Sequence, residues 1–174
     1  MKNYTISVFT ENKTGLLMRV VQVFTRRSIN IESLTTSQSS MEGIFRFTIV
    51  VDVSEEMVKK LVAQLDKQIE VIKAFYYEND QIIHQEMALY KVPMTIYQDP
   101  GRMINLMRKH HARILTVEKE FVVIEKTGLE SETEALLEEL KEIGIYEFVR
   151  SGRVAVAKPM EQLSEYLKSL NEEN

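Results

Sequence analysis

Hydrophobic positions in the first half of the chain switch between the spacing of a strand and that of a helix. Residues 4–11 alternate, with Ile6 and Val8 on one face, as in a half-buried strand. A helical stripe follows, which consists of Leu17, Val20, Val21 and Phe24. Residues 30–38, 44–53 and 70–78 carry strand patterns, and Ser54 can cap a helix between the last two. The predicted order is strand, helix, strand, strand, helix, strand.

The second half of the chain repeats this order. Residues 85–94 predict a strand, and Asp99 followed by Pro100 is typical of a helix start. That helix runs to about residue 111, and its apolar stripe is Met103, Ile104 and Met107. Residues 112–119 and 120–128 predict a hairpin. Ser131 and Glu134 fit a capping box for the last helix, and residues 145–158 return as a strand that is broken near Ser151.

Two tandem ferredoxin-like βαββαβ units, an α+β fold, are the architecture that this order predicts. Because both crossovers of a unit are right-handed, its two helices lie on one face of a four-stranded antiparallel sheet. The other face needs a cover from the other half, a second subunit or a partner. We expect domains at residues 1–78 and 85–158, a linker at 79–84, and a tail at 159–174.

An amphipathic helix is predicted for the tail, because its apolar residues recur at intervals of three and four. They are Met160, Leu163, Leu167 and Leu170. This stripe packs against the second domain or docks on a partner, and the sequence leaves both alternatives open.

Composition narrows the possible functions. The 174 residues carry a formal net charge of −4 and no cysteine, which excludes disulfides, thiolate metal sites and a cysteine nucleophile. Neither half has the basic excess that nucleic-acid binding normally requires. No apolar run approaches the roughly 18 residues of a membrane span, and no signal peptide is recognised, so we expect a cytoplasmic protein. His110 and His111 are expected to be solvated, and His84 has no motif around it. We find no catalytic or metal-binding constellation.

Gly15 stands where the first strand leads into the first helix, three residues after Asn12. Free backbone amides at a helix N-terminus favour an anion, and glycine lets that anion approach closely. The additional glycines and the lysine of the nucleotide-binding loops are missing, so a carboxylate suits this junction better than a phosphate. The alternative is that Gly15 serves only a tight turn.

The segment around Gly15 resembles the N-terminal signature of the small, regulatory subunit of acetohydroxyacid synthase (acetolactate synthase). The matching elements are Glu11, Asn12, Gly15, Phe24 and the run Asn30-Ile31-Glu32-Ser33-Leu34. Residues 85–92, 114–128 and 149–156 resemble later strands of the same family, the last with its Arg-Ser-Gly motif. The resemblance therefore covers about residues 2–158.

The resemblance implies that residues 1–78 form an ACT domain, which pairs side by side with a second copy. Feedback effectors of this family, usually valine and sometimes leucine or isoleucine, bind at that dimer interface. The residues that match one wall of this site are Asn12, Gly15, Leu16, Leu17 and Met18. The residues that match the facing wall, which the neighbouring subunit supplies, are Asn30 and Ile31. Two positions depart from the family pattern, because Met18 and Ser28 replace a small residue and a glycine.

The resemblance also implies a non-catalytic chain that activates a catalytic large subunit and transmits feedback inhibition to it. Thiamine diphosphate, Mg and FAD are then expected only on that catalytic subunit, and this chain needs no cofactor, no nucleic acid and no membrane. The alternative is a free-standing ACT-type amino-acid sensor that acts through another protein such as a transcriptional regulator. An enzyme on a tandem ferredoxin-like fold is a third class, which no residue supports.

Overall fold

A computed structural model describes residues 1–158 of the chain. The predicted tail helix lies outside the described residues. Contacts divide the chain into two compact units, residues 84–154 and residues 1–83 with the segment that begins at Ala155.

The first four-stranded sheet and its two helices follow the predicted order. The elements are β1 (Lys2–Glu11), α1 (Leu16–Thr25), β2 (Ser33–Gln38), β3 (Ile44–Val53), α2 (Glu55–Leu65) and β4 (Val71–Glu78). All pairings are antiparallel, and the strand order is β2-β3-β1-β4. This is the ferredoxin-like arrangement, in which β1 and β3 are the inner strands and each helix connects one inner strand to one outer strand.

The buried face of helix α1 differs from the predicted face by a rotation of about one residue. Leu16, Val20, Val23 and Phe24 are buried, whereas Leu17, which was predicted to be buried, is 43% exposed. The helix begins directly after Gly15, and this start fixes the rotation that turns residue 16 toward the sheet. Helix α2 begins as predicted, because the Ser54 hydroxyl accepts a hydrogen bond of 3.3 Å from the Met57 amide.

The second half of the chain builds a five-stranded sheet. Its elements are β5 (Ile82–Pro93), α3 (Pro100–His110), β6 (Arg113–Val117), β7 (Phe121–Gly128), α4 (Glu130–Lys141), β8 (Glu147–Arg150) and β9 (Val154–Ala157). The strand order is β6-β7-β5-β8, and β9 also pairs with β5. The interruption between β8 and β9 is the break that was predicted near Ser151. Both sheets together confirm the α+β fold with two ferredoxin-like units.

Tyr90 lies at the centre of the second core, where it is fully buried. Its hydroxyl donates a hydrogen bond of 2.7 Å to the Thr133 carbonyl oxygen in α4. Burial raises the pKa of Tyr90 to about 12, because the charged phenolate would lose its hydration there. The bond therefore ties β5 to α4 at every physiological pH.

Three local predictions in the second half are wrong. Ile104 is 48% exposed, because α3 turns Met103, Leu106 and His110 toward the core instead. His110 is consequently buried rather than solvated, and its Nε2 lies 3.0 Å from a carboxylate oxygen of Glu139. Helix α4 starts before Ser131, and Glu132 accepts a hydrogen bond of 2.7 Å from the Leu129 amide.

Neither a membrane-spanning helix nor a metal-binding cluster is found among residues 1–158. No helix in this part of the chain is long and apolar enough to cross a membrane. Nor do any three histidine, aspartate or glutamate side chains there come together in a way that could hold a metal ion.

Candidate functional site

The turn between β1 and α1 leaves backbone amides open at the helix N-terminus. Gly15 adopts the left-handed conformation, with φ 84° and ψ −3°, and no side chain caps the helix. The Leu16 amide donates to the Lys13 carbonyl oxygen at 3.3 Å. Within residues 1–158, no hydrogen-bond acceptor is recorded for the amides of Gly15, Leu17 and Met18. These amides can therefore bind an anion, which the helix dipole favours.

A cavity of about 190 Å³ lies beside this turn. Its lining residues are Thr10, Glu11, Asn12, Lys13, Gly15, Leu16, Leu17, Thr36, Phe45 and Phe47. Strand register builds one side of the cavity, because Thr10 lies opposite Phe45 and Thr36 lies opposite Phe47. Directly opposed residues of antiparallel strands share a face, so these four side chains lie on the same face of the sheet. The cavity thus combines polar groups with aliphatic and aromatic walls.

Hydrogen bonds between loops hold the turn in place. The Asn12 amide donates to the Gly43 carbonyl oxygen at 3.0 Å, and the Glu11 amide donates to the Glu70 carbonyl oxygen at 3.1 Å. The side-chain amide of Asn12 makes no recorded hydrogen bond to any residue that the structure describes. Asn12 is therefore fixed through its backbone, and its side chain can serve a ligand.

Charged side chains around the turn are paired with one another. Lys13 lies 2.5 Å from Glu11, and this hydrogen bond raises the pKa of Lys13. Arg19 forms an ion pair with Glu70, and its hydrogen bond to that carboxylate lowers the pKa of Glu70. Because each cation already has an anionic partner, this neighbourhood suits a zwitterion with an apolar substituent better than a phosphate dianion.

The structure brings four of the seven expected site residues together. Asn12, Gly15, Leu16 and Leu17 line the cavity, whereas Met18, Asn30 and Ile31 do not. Met18 is 64% exposed on α1, and the Asn30 side-chain amide donates to Glu32 at 2.8 Å. Asn30 and Ile31 are expected to act from a second copy of the chain, across a dimer interface.

Sequence reasoning did not identify the part of the cavity that the sheet supplies. Thr10 and Thr36 carry no motif, and Phe45 and Phe47 belong to a segment whose pattern predicts only a strand. The missing information is the register in which β1, β2 and β3 pair, which no motif of the sequence indicates.

Comparison with known proteins identifies the family. Residues 6–73 match the family model described as an AHAS small subunit-like ACT domain, and residues 85–159 match the one for the small subunit of acetolactate synthase. The acetolactate synthase small subunit of Mycolicibacterium smegmatis is 37% identical over 155 residues, which cover 89% of this chain and 91% of that protein. The chain belongs to the acetolactate synthase small subunit family.

Other relatives agree with this assignment. The acetolactate synthase small subunit of Bacillus subtilis is 35% identical over 170 residues, which are 95% of this chain and 96% of that protein. The crystal structure of the acetolactate synthase small subunit from Thermotoga maritima superposes with a TM-score of 0.83 at 28% identity, over 92% of this chain and 100% of that one.

Membership in the acetolactate synthase small subunit family indicates the general role of the chain. It supports a regulatory function in branched-chain amino acid biosynthesis, and a small subunit implies a catalytic large subunit as its partner. The ACT domain that the family model matches contains the β1–α1 turn and its cavity.

Proposed function

We propose that this chain is the non-catalytic regulatory subunit of an acetolactate synthase. It activates the catalytic large subunit and confers feedback inhibition by valine, or by leucine or isoleucine, bound where two ACT domains meet. The thiamine diphosphate, Mg and FAD of the complex belong to the catalytic subunit, and the complex works in the cytoplasm. Residues 1–78 are the effector-binding domain, residues 79–84 the linker and residues 85–158 the second domain.

One observation carries this proposal: open helix amides border a cavity that both polar and apolar side chains line. The amides of Gly15, Leu17 and Met18 receive the effector's carboxylate. Asn12 and the Asn30 of a second copy receive its ammonium group. The aliphatic side chain lies against Leu16, Leu17 and Ile31, which exclude water from it.

Feedback then arises because the effector and the catalytic subunit shift the same equilibrium between arrangements of the regulatory dimer. An effector at the interface alters how two copies meet, and the catalytic subunit senses that arrangement. Coupling of this kind is reciprocal, so the catalytic subunit must alter effector affinity as much as the effector alters binding of the catalytic subunit.

The test of this function is reconstitution with the catalytic subunit. Acetolactate formation is measured for the catalytic subunit alone, with this chain, and with this chain plus each branched-chain amino acid. We expect the chain to increase the rate and at least one amino acid to reverse that increase. A chain that has no effect on the rate is not the regulatory subunit, and a free-standing sensor then becomes the better description.

Gly15→Asp tests the effector site within the reconstituted complex. The new carboxylate competes with the effector's own carboxylate for the open amides, so we expect feedback to be lost while activation remains. Gly15→Asn is the matched control, because its side chain has nearly the size and shape of aspartate without the charge and also tolerates the left-handed backbone. No neighbouring atom lies within 4 Å of a Cβ at position 15, so neither variant meets a steric clash there.

Equal sensitivity of Gly15→Asp and the unmodified chain to the effector would show that the site lies elsewhere. A comparable loss in both variants would trace the effect to backbone strain at position 15 rather than to the added charge.

A further inference from the structure

Thr10 has an uncommon environment at the end of β1. Its side chain is fully buried, and its Oγ1 has no hydrogen-bond partner among the residues that the structure describes. Thr10 also lines the cavity beside the β1–α1 turn. Buried hydroxyl groups in native proteins are nearly always hydrogen-bonded, so an unpaired one at a cavity wall calls for a partner that enters from the cavity.

The backbone changes its register at Thr10. Along β1 and β4, Phe9 lies opposite Lys73, whereas Thr10 lies opposite Val71, so one residue of β4 is skipped. The pairing with β3 stays regular, and Thr10 remains opposite Phe45. Bulges of this type redirect side chains and are frequent beside functional sites. The irregularity thus falls at the residue whose hydroxyl lacks a partner.

An apolar residue would fit the packing around Thr10 better. Ile6 and Val8, which precede Thr10 on the same face of β1, are fully buried and apolar. Valine has the shape of threonine and would remove the unpaired polar atom. If residue 10 had only a structural role, valine would therefore stabilise the protein more than threonine does. The presence of threonine suggests that its hydroxyl group takes part in binding.

We propose that the Thr10 hydroxyl hydrogen-bonds the charged head of a small amino acid bound in this cavity. The inference rests on the proposed effector function and adds a binding residue to that site. Rotation about the Cα–Cβ bond directs Oγ1 into the cavity, where it meets a carboxylate as a donor or an ammonium group as an acceptor. The head group then has the Thr10 hydroxyl on one side and the open helix amides on the other.

Thr10→Val in the reconstituted complex is the test, with Thr10→Ser as the conservative variant. The concentration of valine that halves the stimulated rate should rise about tenfold in Thr10→Val, which is the loss expected for one hydrogen bond to a charged group. Thr10→Ser should stay within about twofold of the unmodified chain. The melting temperature of Thr10→Val should not fall, because a buried unpaired hydroxyl is removed.

Thr48→Val is the matched control. Thr48 is a buried threonine of β3 in the same domain, and it does not line the cavity. We expect its response to valine to be unchanged.

Two results would overturn the assignment of Thr10. Unchanged or tighter valine response in Thr10→Val would place the hydroxyl away from the ligand or against its aliphatic chain. Equal losses in Thr10→Val and Thr48→Val would reflect a general effect of removing a buried hydroxyl group from this domain. Either result leaves the effector function standing, because Gly15→Asp tests that function separately.

Discussion

Ser28 holds a backbone conformation that residues with a Cβ atom rarely adopt, with φ of 53°. It follows α1, where the Ile29 amide donates to the Phe24 carbonyl oxygen at 3.1 Å and the Ser28 amide donates to that of Thr25 at 3.0 Å. This is the pattern of a helix end that places glycine in the left-handed position. Ser28 therefore replaces the glycine of the family pattern at a position where a Cβ atom causes backbone strain.

Replacement of this serine by glycine should stabilise the protein, whereas replacement by alanine should not. Ser28→Gly relieves about 1–2 kcal/mol of left-handed strain and loses about 0.5–1 kcal/mol through the greater freedom of the unfolded chain. We expect a net gain of about 0.5–1 kcal/mol, seen as a higher urea midpoint. Ser28→Ala is the control and should show no gain, because its Cβ keeps the strain; an equal gain from alanine would refute this account.

At the scale of elements, the start of α4 shows how a sequence motif can point to the wrong residue. The sequence favoured Ser131 as the cap, with Glu134 three positions later. In the structure the helix has already begun at Glu130, and the Glu132 carboxylate accepts the hydrogen bond from the Leu129 amide. The chain leaves β7 at Gly128, and this exit leaves no room for a further residue before the helix.

The helix start gives a direct comparison of two neighbouring residues. Glu132→Ala should lower the free energy of unfolding by about 1 kcal/mol, because it removes a charged acceptor from the first turn of α4. Ser131→Ala should change it by less than about 0.5 kcal/mol, since Ser131 is exposed and caps nothing. Urea unfolding of both variants decides between the capping box predicted from the sequence and the single hydrogen bond from the Leu129 amide to Glu132 in the structure.

The parts of the fold that depend on local periodicity could be predicted. Strand β3 and the Ser54 cap of α2 have the expected positions, because alternation and capping act over a few residues. The rotation of α1 could not be predicted, since two apolar stripes one residue apart look equally good along the sequence. Leu17 is apolar and yet half-exposed because it borders a cavity rather than the core.

The same distinction between local and tertiary features applies to the residues of the candidate site. Asn12 and Gly15 lie three residues apart and could be recognised from their turn. Thr10, Thr36 and Phe45 come together only when β1, β2 and β3 pair in a specific register. Register is a tertiary property, because a shift of one residue would move every side chain to the other face of the sheet.

At the scale of the whole molecule, each chain holds only part of the proposed effector site. The cavity contacts Asn12 and Gly15, while Asn30 lies outside it. In a symmetric dimer each of the two sites takes the turn from one copy and the asparagine from the other. Effector binding is then a property of the pair of chains, and mutations in the two walls should complement one another.

Mixing two unresponsive variants should therefore restore part of the feedback. Gly15→Asp damages one wall and Asn30→Ala the other, so both homodimers are expected to be insensitive to valine. After exchange of subunits, about half of the dimers are mixed, and each has one intact and one doubly damaged site, so about a quarter of all sites bind again. The measurement is valine binding by calorimetry before and after exchange at equal total protein. A mixture that stays as insensitive as its components would show that the site lies within one chain, because exchange cannot then bring an intact turn and an intact asparagine together.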